Sequence, residues 1–582
     1  MSIPCALIEF RDDDGAVRPL FFSQCRQEIS ASSVGEVAGV LESVRTAVSG
    51  GLYAVGYVSY EASPASDPAF QVREGGALPL AWFGLFDAPA PPPPETQGHY
   101  QVSEWTPDVE RGRYESCVES ARAALAAGET YQVNYTFRMR AVFEGDDFAY
   151  YRQLRAAQGA GYSAYLNLGR WRVLSVSPEL FFRQREREII TRPMKGTSPR
   201  GRWTEEDDER ACWLAGSAKN RAENLTIVDL LRNDLSQVTE VGSVHVPQLC
   251  IVERYRTVLQ MTSTVAATLR ADVTLVDIFQ ALFPCGSVTG APKISTMRLI
   301  AALEESPRQV YCGAIGLAGP EETIFNVAIR TVLIDSETGQ AEYGVGGGIT
   351  WDSAAADEYD EALTKARVLR QRWPDFELLE TIRFENGHYW LEERHRRRMA
   401  ESARYFAFDF PEARVREALR QHAEEHPSGK RRVRLLLDSG GRVRIESTAL
   451  ISSGRQPLPV CLASQPSDAA NVFLYHKTTH RKAYDAARRE IRDQFDVLLR
   501  NEREEATEFT TGNLVAKIGG ERWTPPRECG LLGGVYRAEL LEMGKIKEKV
   551  LSVEDVKVAE QLWHINSVRG WTRVVLDLPG DG

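Results

Sequence analysis

The sequence predicts an α+β chain made of two unlike parts, and three observations support this. Strand-like and helix-like segments follow one another in mixed order up to about residue 370, without regular βαβ alternation. A short break, Gln371–Phe376 (QRWPDF), carries Pro374, and beyond it the text restarts with different content. The length of 582 residues corresponds to about three to five domain-sized units, or two large ones. The expected domains are residues 1–372 and 377–582.

In chain order, Leu52–Tyr60 (LYAVGYVSY) is strand-like, and Ala88–Gln97 (APAPPPPETQ) reads as an extended surface loop because consecutive prolines continue neither helix nor central strand. The apolar spacing of Val118, Ala121 and Leu125 predicts a helix over Val109–Ala127. Tyr131–Val142 and Ala164–Phe182 read as strands and turns, and one long helix is expected from about Glu205 to Arg232. After the break, Glu377–Phe384 is strand-like, Gly387 marks a turn, and Leu391–Tyr405 is a strongly charged helix.

Composition excludes several classes. Hydrophobic residues make up 43% and charged residues 26%, so a large core is available and general disorder is not expected. The net charge of −11 argues against nucleic acid as the main partner. No run of 18 apolar residues lacks a charge, and Met1–Gly15 carries no basic-then-apolar leader, so neither a membrane span nor a signal peptide is expected. The nine cysteines are odd in number and none lies at CxxC spacing. That disfavours a disulfide framework or a zinc site and fits a cytoplasmic setting.

Two segments carry acidic chemistry. Lys219–Asp234 reads KNRAENLTIVDLLRND, and on a helix Glu223, Ile227, Leu230 and Asp234 share one face. A carboxylate on that half-apolar face needs a partner. In EYDEALTK, Glu358 and Glu361 lie three apart, with Lys365 four beyond Glu361. That pattern fits a solvated helix with a Glu–Lys pair. The sharper reading is convergence of Glu223 and Glu361 on one magnesium ion, which takes hard oxygen ligands and few of them from protein. Spacing leaves both open. Between these helices lie PCGSVTGAPK (Pro284–Lys293) and YGVGGGIT (Tyr343–Thr350). Their glycines let backbone N–H groups approach an anion. Neither fits a phosphate loop or GxGxxG, and either one alone fits a tight turn. Arg330, in the apolar run NVAIRT, wants a carboxylate from protein or ligand.

GETYQVNYT, SVSPELFF, RPMKGTSPRG, KNRAENLTIVDLLRNDL, PCGSVTGAPK, YCGAIG, FNVAIRT and EYDEALTKA occur in that order, and over about residues 50–370 the chain resembles the chorismate-utilising enzymes. Lysine in PMKGT, where anthranilate synthases typically read PIAGT, resembles the aminodeoxychorismate synthase component I branch. The resemblance implies replacement of a chorismate hydroxyl by ammonia. Lys195 would attack ring carbon C2, and Glu179 would act as general acid on the leaving hydroxyl. Magnesium would be held by Glu223 and Glu361, with Glu358 nearby. Tyr311, Arg330 and the backbone at Gly346 and Gly348 would hold the enolpyruvyl carboxylate, and Ser287 and Thr289 would donate hydrogen bonds. Gln260 stands where many relatives carry histidine, so no proton role carries over there. No cysteine sits in a GxCxGxQ-like setting, so ammonia would come from solution or from a separate glutamine amidotransferase subunit.

The C-terminal part has its own series: LEERHRRRMAESA, YHKTTHRKAYD, TEFTTGNL, GLLGGVYR and NSVRGW. Singly, HKTTHRK reads as a solvated basic stretch and Arg398 as one of a charged helix face. Together, over residues 377–582, they resemble the class IV pyridoxal-phosphate enzymes. By that resemblance Lys477 carries the cofactor, and Glu508, five before Asn513, lies beside its pyridine nitrogen. Arg398 and the Gly534–Val535–Tyr536 backbone form a phosphate cup, with Ser567 a further contact. Tyr536 replaces the small hydroxyl residue common in relatives. Arg481, four after Lys477, would support cofactor or substrate.

The two resemblances imply an α/β sandwich followed by a two-lobed class IV domain, with Mg2+ and pyridoxal 5'-phosphate as cofactors. Chorismate would be aminated to 4-amino-4-deoxychorismate, and pyruvate then eliminated to give 4-aminobenzoate for folate. Class IV relatives place their sites at a dimer interface, which implies a homodimer through the C-terminal domain. The rival expectations are anthranilate-type amination fused to an unrelated transaminase, and a catalytically silent C-terminal module.

Overall fold

A computed structural model describes residues 5–12, 15–91, 98–159, 161–450 and 457–577. Residues 92–97 of the expected proline-rich loop lie outside the described residues. The chain divides into two compact units, one formed by Met1–Arg200 with Ala211–Trp373, the other by Gly201–Arg210 with Pro374–Gly582.

The first unit is built on two ten-stranded sheets whose strand pairings are antiparallel. One sheet is centred on Gln132–Gly145, Gln340–Ile349, Thr331–Asp335 and Trp171–Ser177. The other contains Met194–Pro199, Val258–Thr268, Leu180–Arg185, Thr323–Val327 and Tyr53–Val58. The inward residues alternate along each strand. Ile8, Leu166 and Val173 of the first sheet meet Val55, Ile315 and Ile324 of the second in one buried cluster. Outside the second sheet, the helix Val34–Ser49 buries Val37, Val40, Leu41 and Val44. Outside the first, the helix Arg111–Ala126 buries Tyr114, Val118 and Ala121. Helices thus cover both outer faces of a sheet-on-sheet sandwich, which places the core in three layers.

The expected long helix from Glu205 is instead two, Thr204–Gly216 and Ala218–Ser236. Ser217 caps the second, its side chain accepting from the Asn220 N–H, and the glycine before it has no side chain to sustain the first.

The second unit has two lobes. In one, a four-stranded sheet of His388–Tyr389, Leu378–Glu385, Lys430–Leu437 and Val443–Ala449 carries the helix Glu392–Phe406. That helix buries Met399, Ala403 and Phe406, and with them His395 and Arg396. In the other, an eight-stranded mixed sheet runs from Ala506–Phe509 through Gly570–Leu576 to Lys547–Glu548, around a core of Val460, Leu498, Phe509, Leu514 and Val574. Among the described residues no helix is long and apolar enough to cross a membrane, and all nine cysteines are free thiols.

Candidate active sites

In the first unit the strand Met194–Pro199 pairs with Val258–Thr268, but its register slips between Met194 and Thr197. Lys195 and Gly196 occupy the slip, and Gly196 is left-handed (φ 95°). The irregularity takes Lys195 out of the ladder. Its ammonium is held below the ordinary lysine range by burial, while the carboxylates of Glu179 and Glu223 act against that shift and the Lys365 cation adds to it. Glu179 is buried just after the strand Trp171–Ser177, where its N–H donates to Ser177 Oγ at 3.2 Å. Burial pushes its carboxyl up to about 7, against a hydrogen bond from Ser287, the Lys195 charge and the Met194 N–H. Its Oε1 has no hydrogen-bond partner among the described residues. Lys195, Glu179 and Ser287 therefore meet, although they come from three separate motifs of the chain.

The strand Gln340–Ile349 forms a second wall. A Cβ at Gly348 would lie 2.4 Å from Gln132 Nε2 and 3.1 Å from Lys195 Nζ, and one at Gly346 would lie 2.1 Å from the Tyr135 carbonyl, so only glycine fits at both positions. Lys365 Nζ donates to the Gly346 carbonyl at 2.9 Å and pairs with Glu361 Oε1 at 2.8 Å. The Glu–Lys pair is therefore present. Glu358 accepts from Ser353 Oγ at 2.6 Å. Burial raises the carboxyls of Glu223 and Glu358, and the negative charge of Glu361 raises both further. Glu361 itself is lowered, first by Lys365. Three hard-oxygen groups thus share one negative field, which a divalent cation relieves. Among the described residues no group of three or more His, Cys, Asp or Glu side chains is close enough to hold a metal unaided. Magnesium needs fewer, since water and substrate complete its shell.

The other expected residues make protein contacts of their own. Asp234 finds its partner in Lys293 at 2.7 Å, and Lys293 also donates to the Leu282 carbonyl. Arg330, left-handed at φ 53°, donates to the Lys365 carbonyl at 2.9 Å. Thr289 Oγ1 turns back to the Cys285 carbonyl at 3.0 Å. The buried Tyr311 ring lies against the bare α-carbon of Gly344 and 5.2 Å from the Arg138 guanidinium carbon. Gln260 Oε1 accepts from Thr197 Oγ1 at 3.0 Å, on the Lys195 strand.

Sequence reasoning missed two sets of residues here. Asn224, buried beside Glu223, donates to the Lys195 carbonyl at 3.5 Å and so ties its helix to that strand. Arg308, Glu304 and Arg138 form a buried ion network. Burial pushes the Glu304 carboxyl up, but Arg308 and Arg138 hold it below the ordinary range. Arg308 donates to the Val288 carbonyl at 2.8 Å and the Asn134 carbonyl at 2.7 Å, fixing the turn that carries Ser287.

In the second unit Lys477 follows the turn Val472–Leu474, and its carbonyl accepts from the Leu379 N–H at 2.9 Å. Burial lowers its ammonium to about 7, helped by Arg481 and Arg398 and opposed by Glu380 and Glu508. Glu508 is buried, and burial lifts its carboxyl to about 7. Tyr484 Oη and the Leu532 N–H donate to its Oε1 at 2.8 and 3.0 Å, and Asn513 Nδ2 to its Oε2 at 3.2 Å. Arg481 donates to the Thr510 carbonyl and lies 4.4 Å over the Tyr484 ring.

Arg398 is fixed by Glu380, with Nε to Oε1 at 2.8 Å and Nη2 to Oε2 at 2.6 Å, and donates from Nη1 to the Gly533 carbonyl. A guanidinium has five N–H donors, so two remain for a ligand. Glu380 is buried, but Arg398 and His395 hold its carboxyl at about 2. His395 Nδ1 lies 2.6 Å from it. Neither Glu380 nor His395 was expected from sequence. Gly534 caps the helix Val535–Glu542, and a Cβ there would lie 1.9 Å from Asn513 Oδ1. The helix start thus sits directly on the Asn513 that touches Glu508. Tyr536 packs on Trp390 with ring centroids 4.8 Å apart, and Ser567 Oγ donates to the Thr381 carbonyl at 3.4 Å. A buried carboxylate, an amine lysine, a half-free guanidinium and open helix-start amides fit a pyridinium phosphate aldehyde.

A profile of chorismate binding enzymes matches residues 8–371, and one of class IV amino-transferases matches residues 377–576. Aminodeoxychorismate synthase component 1 of Klebsiella aerogenes is 42% identical over 272 residues, 46% of this chain and 60% of that protein. The protein of the same name from Escherichia coli (strain K12) is 41% identical over 274 residues, again 46% and 60%. The chain thus spans about three fifths of the length of these relatives. Among solved structures, anthranilate synthase component I from Streptococcus pneumoniae TIGR4 aligns with TM-score 0.52 at 25% identity, covering 63% of this chain and 90% of that one.

Proposed function

We propose a reaction pair for this chain, which belongs to the chorismate binding enzyme family: amination of chorismate to 4-amino-4-deoxychorismate, then elimination of pyruvate to 4-aminobenzoate. The observation that carries the first step is Glu179, a buried carboxyl lifted to about 7, beside an amine that burial drives towards neutrality. Neutral Lys195 adds to ring C2 as the ring double bonds shift and the C4 hydroxyl leaves. The Glu179 carboxyl gives that hydroxyl its proton, so it departs as water. Ammonia then bonds to C4, the double bonds return, and Lys195 leaves C2 with its electron pair. Glu223, Glu361 and Glu358 would hold a magnesium ion, whose positive charge would anchor the ring carboxylate. Ser287 orients Glu179, while Arg330, Tyr311, Thr289 and the Gly346 and Gly348 backbone line the space for the enolpyruvyl side. The relatives' designation as component 1 supports ammonia delivery by a separate glutamine amidotransferase subunit.

The second step is supported by the class IV match and by the Lys477–Glu508 pair. Pyridoxal 5'-phosphate, held by Lys477, Glu508, Arg398, Ser567 and the Gly534–Val535–Tyr536 backbone, would supply an electron sink. Lys477, its ammonium lowered to about 7, takes the ring proton at C4, and Glu508 keeps the pyridine nitrogen charged. Arg481 braces the pocket through Tyr484. A homodimer through the second unit is part of this reading.

Supplying purified protein with chorismate and ammonium, with and without pyridoxal phosphate, tests the pair. The reading expects 4-aminobenzoate only when the cofactor is present, and 4-amino-4-deoxychorismate when it is withheld. Anthranilate as product would favour the anthranilate-type rival. Loss of the cofactor effect would favour a silent second unit.

A further inference from the structure

The second unit is not made of C-terminal sequence alone. Gly201–Arg210, which follows the Lys195 strand in the chain, belongs to it. That stretch reads GRWTEEDDER, with one large apolar residue in an acidic run. Here Trp203 is 9% exposed and sits in a cluster with Leu474, Tyr475 and Tyr484. Its ring centroid lies 5.1 Å from that of Tyr475. The Arg202 and Arg527 guanidinium carbons lie 4.7 and 5.0 Å from the centre of the Trp203 ring. Arg202 Nη1 also donates to Tyr475 Oη at 3.1 Å, and Tyr475 Oη donates to the Ala469 carbonyl at 2.7 Å.

Both tyrosines of this cluster lead to the lyase-type site. Tyr475 lies two residues before Lys477. Tyr484 donates to Glu508 Oε1 at 2.8 Å. One indole ring therefore packs on Tyr475, in the chain that presents the amine, and shares a buried cluster with Tyr484, whose phenol orients the carboxylate. The geometry points to Trp203 and Arg202 as positioning residues of the pyridoxal-phosphate site, lent to it by the chorismate-family half of the sequence. This rests on the proposed elimination reaction. Neither residue meets substrate; they fix where Lys477 and Glu508 stand. An amine displaced by about 1 Å costs on the order of a hundredfold in rate.

The test uses the full chain. Trp203→Ala, Trp203→Phe and Arg202→Ala are assayed for chorismate consumption with ammonium, for pyruvate release from supplied 4-amino-4-deoxychorismate, and for the pH dependence of the bound-cofactor absorbance. The expectation is a fall in kcat for pyruvate release of about 10–100-fold in Trp203→Ala. KM should stay near the wild-type value, the absorbance titration should shift, chorismate consumption should be unchanged, and Trp203→Phe should recover most of kcat. Wild-type kcat and titration in Trp203→Ala would overturn the inference. So would a parallel loss of both reactions, the mark of a merely structural role, if Arg202→Ala keeps wild-type pyruvate release. If Trp203→Ala does not fold, a fall in kcat for Arg202→Ala with normal chorismate consumption supports the assignment, and no fall overturns it. Absence of pyruvate release from the wild-type protein would instead sink the elimination reading itself, and this inference with it.

Discussion

Replacing Glu179 by glutamine removes one proton and one charge while keeping shape and hydrogen-bonding reach. In the folded protein burial lifts this carboxyl from 4.5 to about 7. At pH 7 about half of the molecules then carry the acid form, against about 1 in 300 for an unshifted carboxyl. That difference corresponds to about 3 kcal/mol between the two protonation states. Glu179→Gln has no proton to give, and loss of a positioned general acid costs on the order of 10²–10⁴-fold in rate. The stability effect runs the other way. A carboxyl whose pKa is raised on folding binds its proton more tightly in the native state. Native stability therefore falls as pH rises from about 4.5 to about 7, and the full cost is present above that window. The glutamine variant escapes it, so it should gain up to about 3 kcal/mol at pH 8, less what is lost by leaving Lys195 without its carboxylate, and gain nothing below pH 4.5. Steady-state amination rates from pH 5.5 to 9, with urea unfolding of both proteins at pH 4.5 and pH 8, measure both effects. The wild-type rate should fall above about pH 7 and the variant should lack that limb. Amination within threefold of wild type, or the same alkaline limb in the variant, would refute the assignment of Glu179 as the acid.

Three further outcomes are expected. Lys195→Ala should abolish formation of 4-amino-4-deoxychorismate yet leave pyruvate release from the supplied intermediate intact, as followed by lactate dehydrogenase coupling. Removing divalent ions with a chelator should stop amination and spare the elimination, and added magnesium should restore the first, if Glu223, Glu358 and Glu361 hold magnesium as proposed. Glu380→Gln removes the anion that fixes Arg398 and His395, so the apparent Kd for pyridoxal phosphate in an absorbance titration should rise by about tenfold or more.

The residues legible in the sequence were those carried by local motifs. Lys195 in PMKGT, Glu179 in SPE, and Lys477 with Glu508 each stand in a short recognisable string. The strands Gln132–Gly145 and Leu378–Glu385 and the helices Arg111–Ala126 and Glu392–Phe406 lie within a few residues of where patterning put them. What escaped were the residues that act through distant partners. Arg308 reaches the Asn134 carbonyl across 174 positions, and Tyr484 reaches Glu508 across 24, distances that no periodicity encodes. Glu380 was invisible for another reason: on a strand it reads as one charge in alternation, and only the guanidinium placed against it gives it a role. The helix from Glu205 was read too long because a single glycine is tolerated within a helix, and the Ser217 cap shows only once the backbone turns. Placement of Gly201–Arg210 in the second unit had no local signal except a tryptophan among acids.

The central claim is that one chain turns chorismate into 4-aminobenzoate at two chemically distinct sites. The most direct measurement is mass analysis of the products formed from chorismate and ¹⁵N-ammonium with magnesium and pyridoxal phosphate. The account predicts 4-aminobenzoate carrying one ¹⁵N and one pyruvate released per aromatic product. Labelled anthranilate, or 4-amino-4-deoxychorismate that accumulates without pyruvate, would contradict it.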